Sequence, residues 1–184
     1  MSHRTDHPAA RVFFALWPTA TERNHLAAWQ TPLKRLCGGR AMRGETLHNT
    51  LVFIGDVGQS RLEALQLAAQ EVSGESFELC FNDARYWGHN HIMYAAPDEA
   101  PQQLAQLAGA LEHSLIRHGF QFDSRDYKPH VTLLRNAHWT DAPLPAMQPV
   151  CWQIKGFALV QSVQRGGLAG YRVLARFPLS GCGG

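Results

Sequence analysis

A chain of 184 residues, 45% hydrophobic and 17% charged, can form one domain or two small fused lobes and is too apolar for disorder. A formal net charge of +2 excludes the broad basic surface of a long-nucleic-acid binder, although ten His can add local charge when the pH falls or a phosphate binds. No stretch approaches the roughly 18 apolar residues of a membrane span, and the polar opening, Met1 to Ala10, lacks a signal-peptide core. Cys37, Cys80, Cys151 and Cys182 are scattered without a Cys-x-x-Cys. This spacing argues against zinc and against a disulfide framework, and predicts reduced thiols in a cytoplasmic protein.

In chain order, Arg11 to Leu16 is an apolar run stopped by Trp17-Pro18 and reads as a strand. Thr19 or Thr21 can cap a helix running to about Leu36, ended by Cys37-Gly38-Gly39. Residues 47–54 read as a strand, 55–58 as a turn and 60–72 as a helix with Leu62, Leu65, Ala69 and Val72 on one face. Phe77 to Phe81 alternates as a half-buried strand does, and His91 to Ala95 is a second short strand. Pro101 to His118 is helical, with a stripe of Leu104, Leu107, Ala108, Leu111 and Leu115. A strand at 130–134, a Pro-rich loop and closing strands at 152–161 and 171–177 complete the order. The class is α+β, with two similar lobes.

One tetrad occurs twice: His48-Asn49-Thr50-Leu51 and His130-Val131-Thr132-Leu133. The copies lie nearly half the chain apart, and random order of this composition yields such a tetrad well under once. Internal similarity at that spacing points to a duplicated unit. In a strand, residues i and i+2 share a face, so His48 points with Thr50 and His130 with Thr132. A pseudo-twofold axis would bring all four into one cleft. Two facing imidazoles suit concerted acid–base chemistry, because a reference pKa near 6.5 lets both protonation states exist around neutrality. Two hydroxyls can donate to phosphoryl oxygens. The pattern calls for no metal and no cofactor.

The twin tetrads resemble the signature of the 2H phosphoesterases. Flanking residues narrow the resemblance to the RNA 2′,3′-cyclic phosphodiesterases, also called 2′-5′ RNA ligases: Arg11 to Ala15, Leu47 to Gly55, Pro129 to Arg135, then Ser162, Gly170 and Tyr171, and Phe177 to Leu179. The resemblance spans residues 11–179. It implies a bilobal fold of two pseudo-twofold-related antiparallel sheets with helices outside and a central cleft. Residues 1–10 would be a flexible tail, 11–179 one domain and 180–184 a second tail. It implies hydrolysis of an RNA end, tRNA halves among them, from a 2′,3′-cyclic phosphate to a 2′-phosphate. For some members it adds reversible 2′-5′ joining. By position, His48 matches the general acid, His130 the general base, and Thr50, Thr132 and Arg135 the phosphate-binding groups. A monomer without membrane contact is expected.

Three positions fit less simply. Strict alternation puts Arg135 on the face opposite His130 and Thr132, so a phosphate role requires a bulge. Phe53 stands at the corresponding place in the first copy, which makes the site asymmetric. Asn49 is polar on the face turned from the cleft and needs a partner.

The remaining candidates each have a plain structural reading. Trp17, Tyr86, Trp87 and Phe14 can stack a base or fill the core, Trp87 being the preferred stacker. Arg40, Arg43, Arg125 and Lys128 can steer phosphate or simply be solvated. His89 and His91 have strand spacing for a metal but no third ligand, and His113, His118 and His138 read as surface residues. Alternatives to an RNA end are a small cyclic nucleotide such as ADP-ribose 1″,2″-cyclic phosphate, or a non-catalytic RNA-end binding module.

Overall fold

The computed structural model describes residues 9–181; His3, His7 and Cys182 lie outside the described residues. The elements in order are β1 (Ala9–Leu16), α1 (Ala20–Ala27), α2 (Gln30–Cys37), β2 (Arg40–Ala41), β3 (Asn49–Gly58), α3 (Leu62–Gln70), β4 (Phe77–Phe81), β5 (Asp83–Trp87), β6 (Ile92–Ala96), α4 (Gln102–Arg117), β7 (Val131–Arg135), β8 (Val150–Ile154), β9 (Gly156–Arg165) and β10 (Leu168–Pro178). β1 thus begins inside the expected tail. At the other end Ser180 bridges Glu75.

The strands form two four-stranded sheets, β10-β9-β1-β3 and β2-β7-β6-β5, and a β4-β8 ribbon. The duplication is visible in the register. Phe13, Phe14, Ala15 and Leu16 of β1 pair with Phe53, Val52, Thr50 and Asn49 of β3. Ile92, Met93, Tyr94 and Ala95 of β6 pair with Arg135, Leu134, Thr132 and Val131 of β7. Both registers skip the residue after the tetrad Thr, Leu51 in one copy and Leu133 in the other. An extra residue in one strand of a pair is a β-bulge, and it resets which face the following side chains take. Leu51 with Val52, and Leu133 with Leu134, are consecutive buried residues. Phe53 and Arg135 therefore return to the face of Thr50 and Thr132. The alternation that turned Arg135 away from the cleft is overturned by this one residue.

Helices and the far faces of both sheets share a single apolar core. The expected stripe of α4 is buried in it, and the buried Ser114 hydroxyl donates to the Ala68 carbonyl of α3 at 2.7 Å. The expected helix from Thr19 to Leu36 is two helices. Thr19 caps the first, in a reciprocal box with Glu22. Pro32 has no N–H for the Ala28 carbonyl and its ring crowds that carbonyl, so the chain breaks there. Gly55–Gly58 continues β3 instead of turning. Residues 152–161 split into β8 and β9 at Gly156, where a Cβ would lie 2.6 Å from the Phe177 carbonyl oxygen. β5, too polar to read as a strand, is held by pairing with β6.

The thiol expectation also fails. Cys80 and Cys151 are direct cross-strand partners on β4 and β8, with Cα atoms 3.9 Å apart, and form a disulfide. Spacing rules see local motifs, whereas this pair is 71 residues apart in sequence. Cys37 is a buried free thiol. No helix among the described residues is long and apolar enough to cross a membrane.

Candidate active site

Each tetrad His stands one residue ahead of its strand, and each is tied down in the same way. The His48 Nδ1–H donates to the Thr46 carbonyl at 2.7 Å, and the His130 Nδ1–H to the Lys128 carbonyl at 2.8 Å. A carbonyl can only accept, so the proton of the neutral ring is fixed on Nδ1. Nε2 is then the atom left to take or give a proton. Both rings line one cleft of about 830 Å³, together with Thr50, Thr132, Arg135 and Trp87. All six residues expected at the site are thus brought to one cavity.

The two imidazoles have different surroundings. His48 is packed among Trp17, stacked at 5.6 Å, Phe13 at 4.9 Å and the edge-on Tyr171 at 5.1 Å. His130 meets Trp87 edge-on at 4.6 Å and Tyr94 at 5.7 Å. Burial disfavours the charged ring and pushes the His48 pKa down to about 4, with the nearby charges of His130, Arg23 and Arg135 adding to the effect and the Thr46 hydrogen bond opposing it. Burial also lowers the His130 pKa, against its bond to Lys128. Both rings are therefore neutral in the free enzyme near pH 7, and a proton must be recruited there before either can act as an acid.

Aromatic candidates divide clearly. Phe14 is wholly buried core. Tyr86 is turned away, its hydroxyl 2.9 Å from His91 Nδ1 and donating to the Ala137 carbonyl at 3.2 Å. Trp17 backs His48 under the guanidinium of Arg23, 4.6 Å from its ring, while Arg23 Nε donates to the Leu47 carbonyl at 3.0 Å. Of the four cations flanking the motifs, Arg125 and Lys128 line the cleft, Arg125 being paired with Asp123 at 2.9 Å. Arg40 lies across from Arg135 on β2, and Arg43 bonds the Ala169 carbonyl and Glu45. Gly39 permits that β2 approach, since a Cβ there would meet the Arg135 carbonyl at 2.7 Å. His89 is an exposed cleft residue, and His118 pairs with Glu71 at 2.9 Å. Among the described residues, the one group close enough to chelate a metal is Glu78, Cys80 and Cys151, whose thiols are oxidised together.

The loop before β7 closes one wall of the cleft. Asp123 N–H donates to the Phe53 carbonyl at 3.1 Å, and the Tyr127 hydroxyl donates to Asn49 Oδ1 at 3.1 Å. Asn49, wholly buried, thus finds a partner in the other repeat, though its Nδ2 has none. Burial raises the Tyr127 pKa and keeps it a donor. Phe13 and Arg11 complete the first-lobe wall. Both belong to residues 11–15, a segment that carries part of the family resemblance, but neither was legible as a site residue in sequence, because a strand's position beside the cleft is set by its pairing with β3.

A family profile of the 2′-5′ RNA ligase superfamily matches residues 18–166. The chain belongs to that superfamily. As a superfamily member with the 2H phosphoesterase fold, it is a hydrolase of the phosphodiesterase kind. The RNA 2′,3′-cyclic phosphodiesterase of Escherichia coli (strain K12) is 29% identical over 170 residues, 92% of this chain and 97% of that protein. The protein of that name from Thermus thermophilus is 29% identical over 184 residues, covering 93% of this chain and 91% of its own. The crystal structure of E. coli LigT complexed with 3′-AMP superposes with a TM-score of 0.84 at 29% identity, covering 94% of this chain and 99% of that one.

Proposed function

We propose that this superfamily member hydrolyses the terminal 2′,3′-cyclic phosphate of RNA to a 2′-phosphate, with its two imidazoles supplying the acid and the base. The observation that carries the reading is the pair of identically tethered His rings in one cleft, flanked by a hydroxyl from each tetrad strand and, on the second tetrad strand, by the Arg135 guanidinium where the first has Phe53. His130 Nε2 takes a proton from water, whose oxygen forms the new bond to phosphorus. The bond from phosphorus to the 3′ oxygen breaks, and that oxygen takes the proton of His48 Nε2. Thr50, Thr132 and Arg135 hold the non-bridging oxygens as charge gathers there. The low proton affinity of His48 belongs to the free enzyme. A bound phosphodiester places a negative charge beside both rings and raises both pKa values, so the acid is charged as the substrate arrives.

In-line displacement gives the aromatic walls separate duties. The departing oxygen and its ribose lie by His48, and the attacking group enters by His130. Trp87, edge-on to His130, is on the attacking side. In hydrolysis that side holds water. In 2′-5′ joining it holds the nucleoside of an incoming 5′-hydroxyl, and this is where Trp87 would stack a base.

The test is a dinucleotide ending in a 2′,3′-cyclic phosphate, incubated with the protein in EDTA and followed by phosphorus NMR. A 2′-phosphate is expected. A pure 3′-phosphate would reverse the acid and base, and turnover that needed an added divalent ion would remove the two-imidazole mechanism. His48→Ala and His130→Ala should each lower kcat about 10²- to 10⁴-fold, with the double variant little worse because the rings act as a unit.

A further inference from the structure

The cleft holds a second unpaired guanidinium, on the side of the departing oxygen. Arg11, Phe13 and Ala15 share one face of β1, with Phe13 opposite Phe53 and Ala15 opposite Thr50. Arg11 and Phe53 both line the cleft, and the Arg11 guanidinium lies over the Phe53 ring at 5.0 Å. Phe53 is the counterpart of Arg135 in the duplicated register. The second lobe thus presents a guanidinium from the strand itself, and the first presents one laid on an aromatic plate. Arg11 is exposed and makes no ion pair or side-chain hydrogen bond among the described residues, even with its cross-strand neighbour Asp56. Its planar fork of five N–H donors is free, and its orientation is held by the ring beneath.

Position decides what this group can bind. Allowing for the bulge, Phe53 lies two strand steps from Thr50, roughly 7 Å along β3, a distance that one nucleotide's backbone spans. With the 3′ oxygen at His48, the terminal ribose and the chain 5′ to it run over this lobe. We propose that Arg11 on Phe53 is the subsite for the phosphodiester preceding the terminal nucleotide, which makes the enzyme selective for oligonucleotide ends over cyclic mononucleotides. The assignment rests on His48 being the acid in the proposed reaction.

The test compares kcat/KM of the full-length protein for 2′,3′-cyclic AMP and for a diadenylate ending in 2′,3′-cyclic phosphate, in wild type, Arg11→Ala and Arg11→Lys. One charged hydrogen-bonded contact predicts a wild-type preference for the dinucleotide of about 10- to 100-fold. Arg11→Ala should erase the preference and Arg11→Lys should keep part of it. Equal losses on both substrates would overturn the subsite. ADP-ribose 1″,2″-cyclic phosphate as a third substrate separates the sources of a second phosphate: a larger Arg11 effect there than on the diadenylate would replace RNA by a pyrophosphate. Calorimetric binding of the 2′-phosphorylated mono- and dinucleotide products stands apart from turnover. Were neither cyclic substrate cleaved, the proposed function would fall, while the subsite would stand or fall on whether Arg11 is needed for tighter dinucleotide binding.

Discussion

The two imidazoles share a tether and differ in how they hold a proton. Burial lowers both pKa values, that of His48 to about 4. A lowered value means that the charged form is lost already as the pH rises through the acid range. The free enzyme therefore carries one proton on the pair mainly below the reference of about 6.5. The kcat/KM profile, which reports the free enzyme, should be a bell with its maximum below pH 6.5, and its limbs belong to the pair rather than to either ring. The kcat profile should peak at higher pH, because the bound phosphodiester raises both values. A kcat/KM maximum above pH 7 would show that burial does not control the acid. Arg135 acts by a different route, as a planar donor to a non-bridging oxygen. Arg135→Ala should cost about 1.5–3 kcal/mol of transition-state stabilisation, read as kcat/KM, and Arg135→Lys should recover only part, since an ammonium cannot reproduce the fork. An Arg135→Ala enzyme with unchanged kcat/KM would leave that side chain as a solvated cation at a strand end.

One bulged residue in each copy of the tetrad strand turns Phe53 and Arg135 into the cleft. A regular strand would bury one of Leu133 and Leu134 and expose the other. Here both are fully buried. Leu133→Ala and Leu134→Ala should each destabilise by about 2–5 kcal/mol in urea unfolding, the range for emptying a packed site. A cost below about 1 kcal/mol for Leu134→Ala would mean that β7 alternates regularly and that Arg135 faces away. The helix break at Ala28–Trp29 was legible in hindsight from Pro32. The bulge was not, because Leu-Leu in a strand looks the same whether or not its partner skips a residue.

Across the whole molecule, the disulfide joins strands far apart in sequence. Its ribbon is bonded to α1, where the Gln153 N–H donates to Glu22 Oε1 at 2.7 Å and the Trp152 indole to the Glu22 carbonyl at 3.3 Å. Closing a loop of 71 residues' separation restrains the unfolded chain by up to about 4 kcal/mol on the loop-entropy argument. Cys151→Ser, or reduction, should lower unfolding stability toward that amount, as measured by denaturant titration with mass-spectrometric counting of free thiols. Equal stability with and without reductant would mean that the bond does no such restraining. The sequence by itself determined the duplication, the two His and two Thr, the leucine stripe of α4 and most of the strands, because these signals are carried by residues a few positions apart with the period of a helix or a strand. The tertiary structure alone decided the facing of Arg135, the joining of Cys80 to Cys151, the pairing of Tyr127 with Asn49 and the seating of Arg11 on Phe53. Each of these depends on which distant strand pairs with which and in what register, and register is set by how the whole core packs.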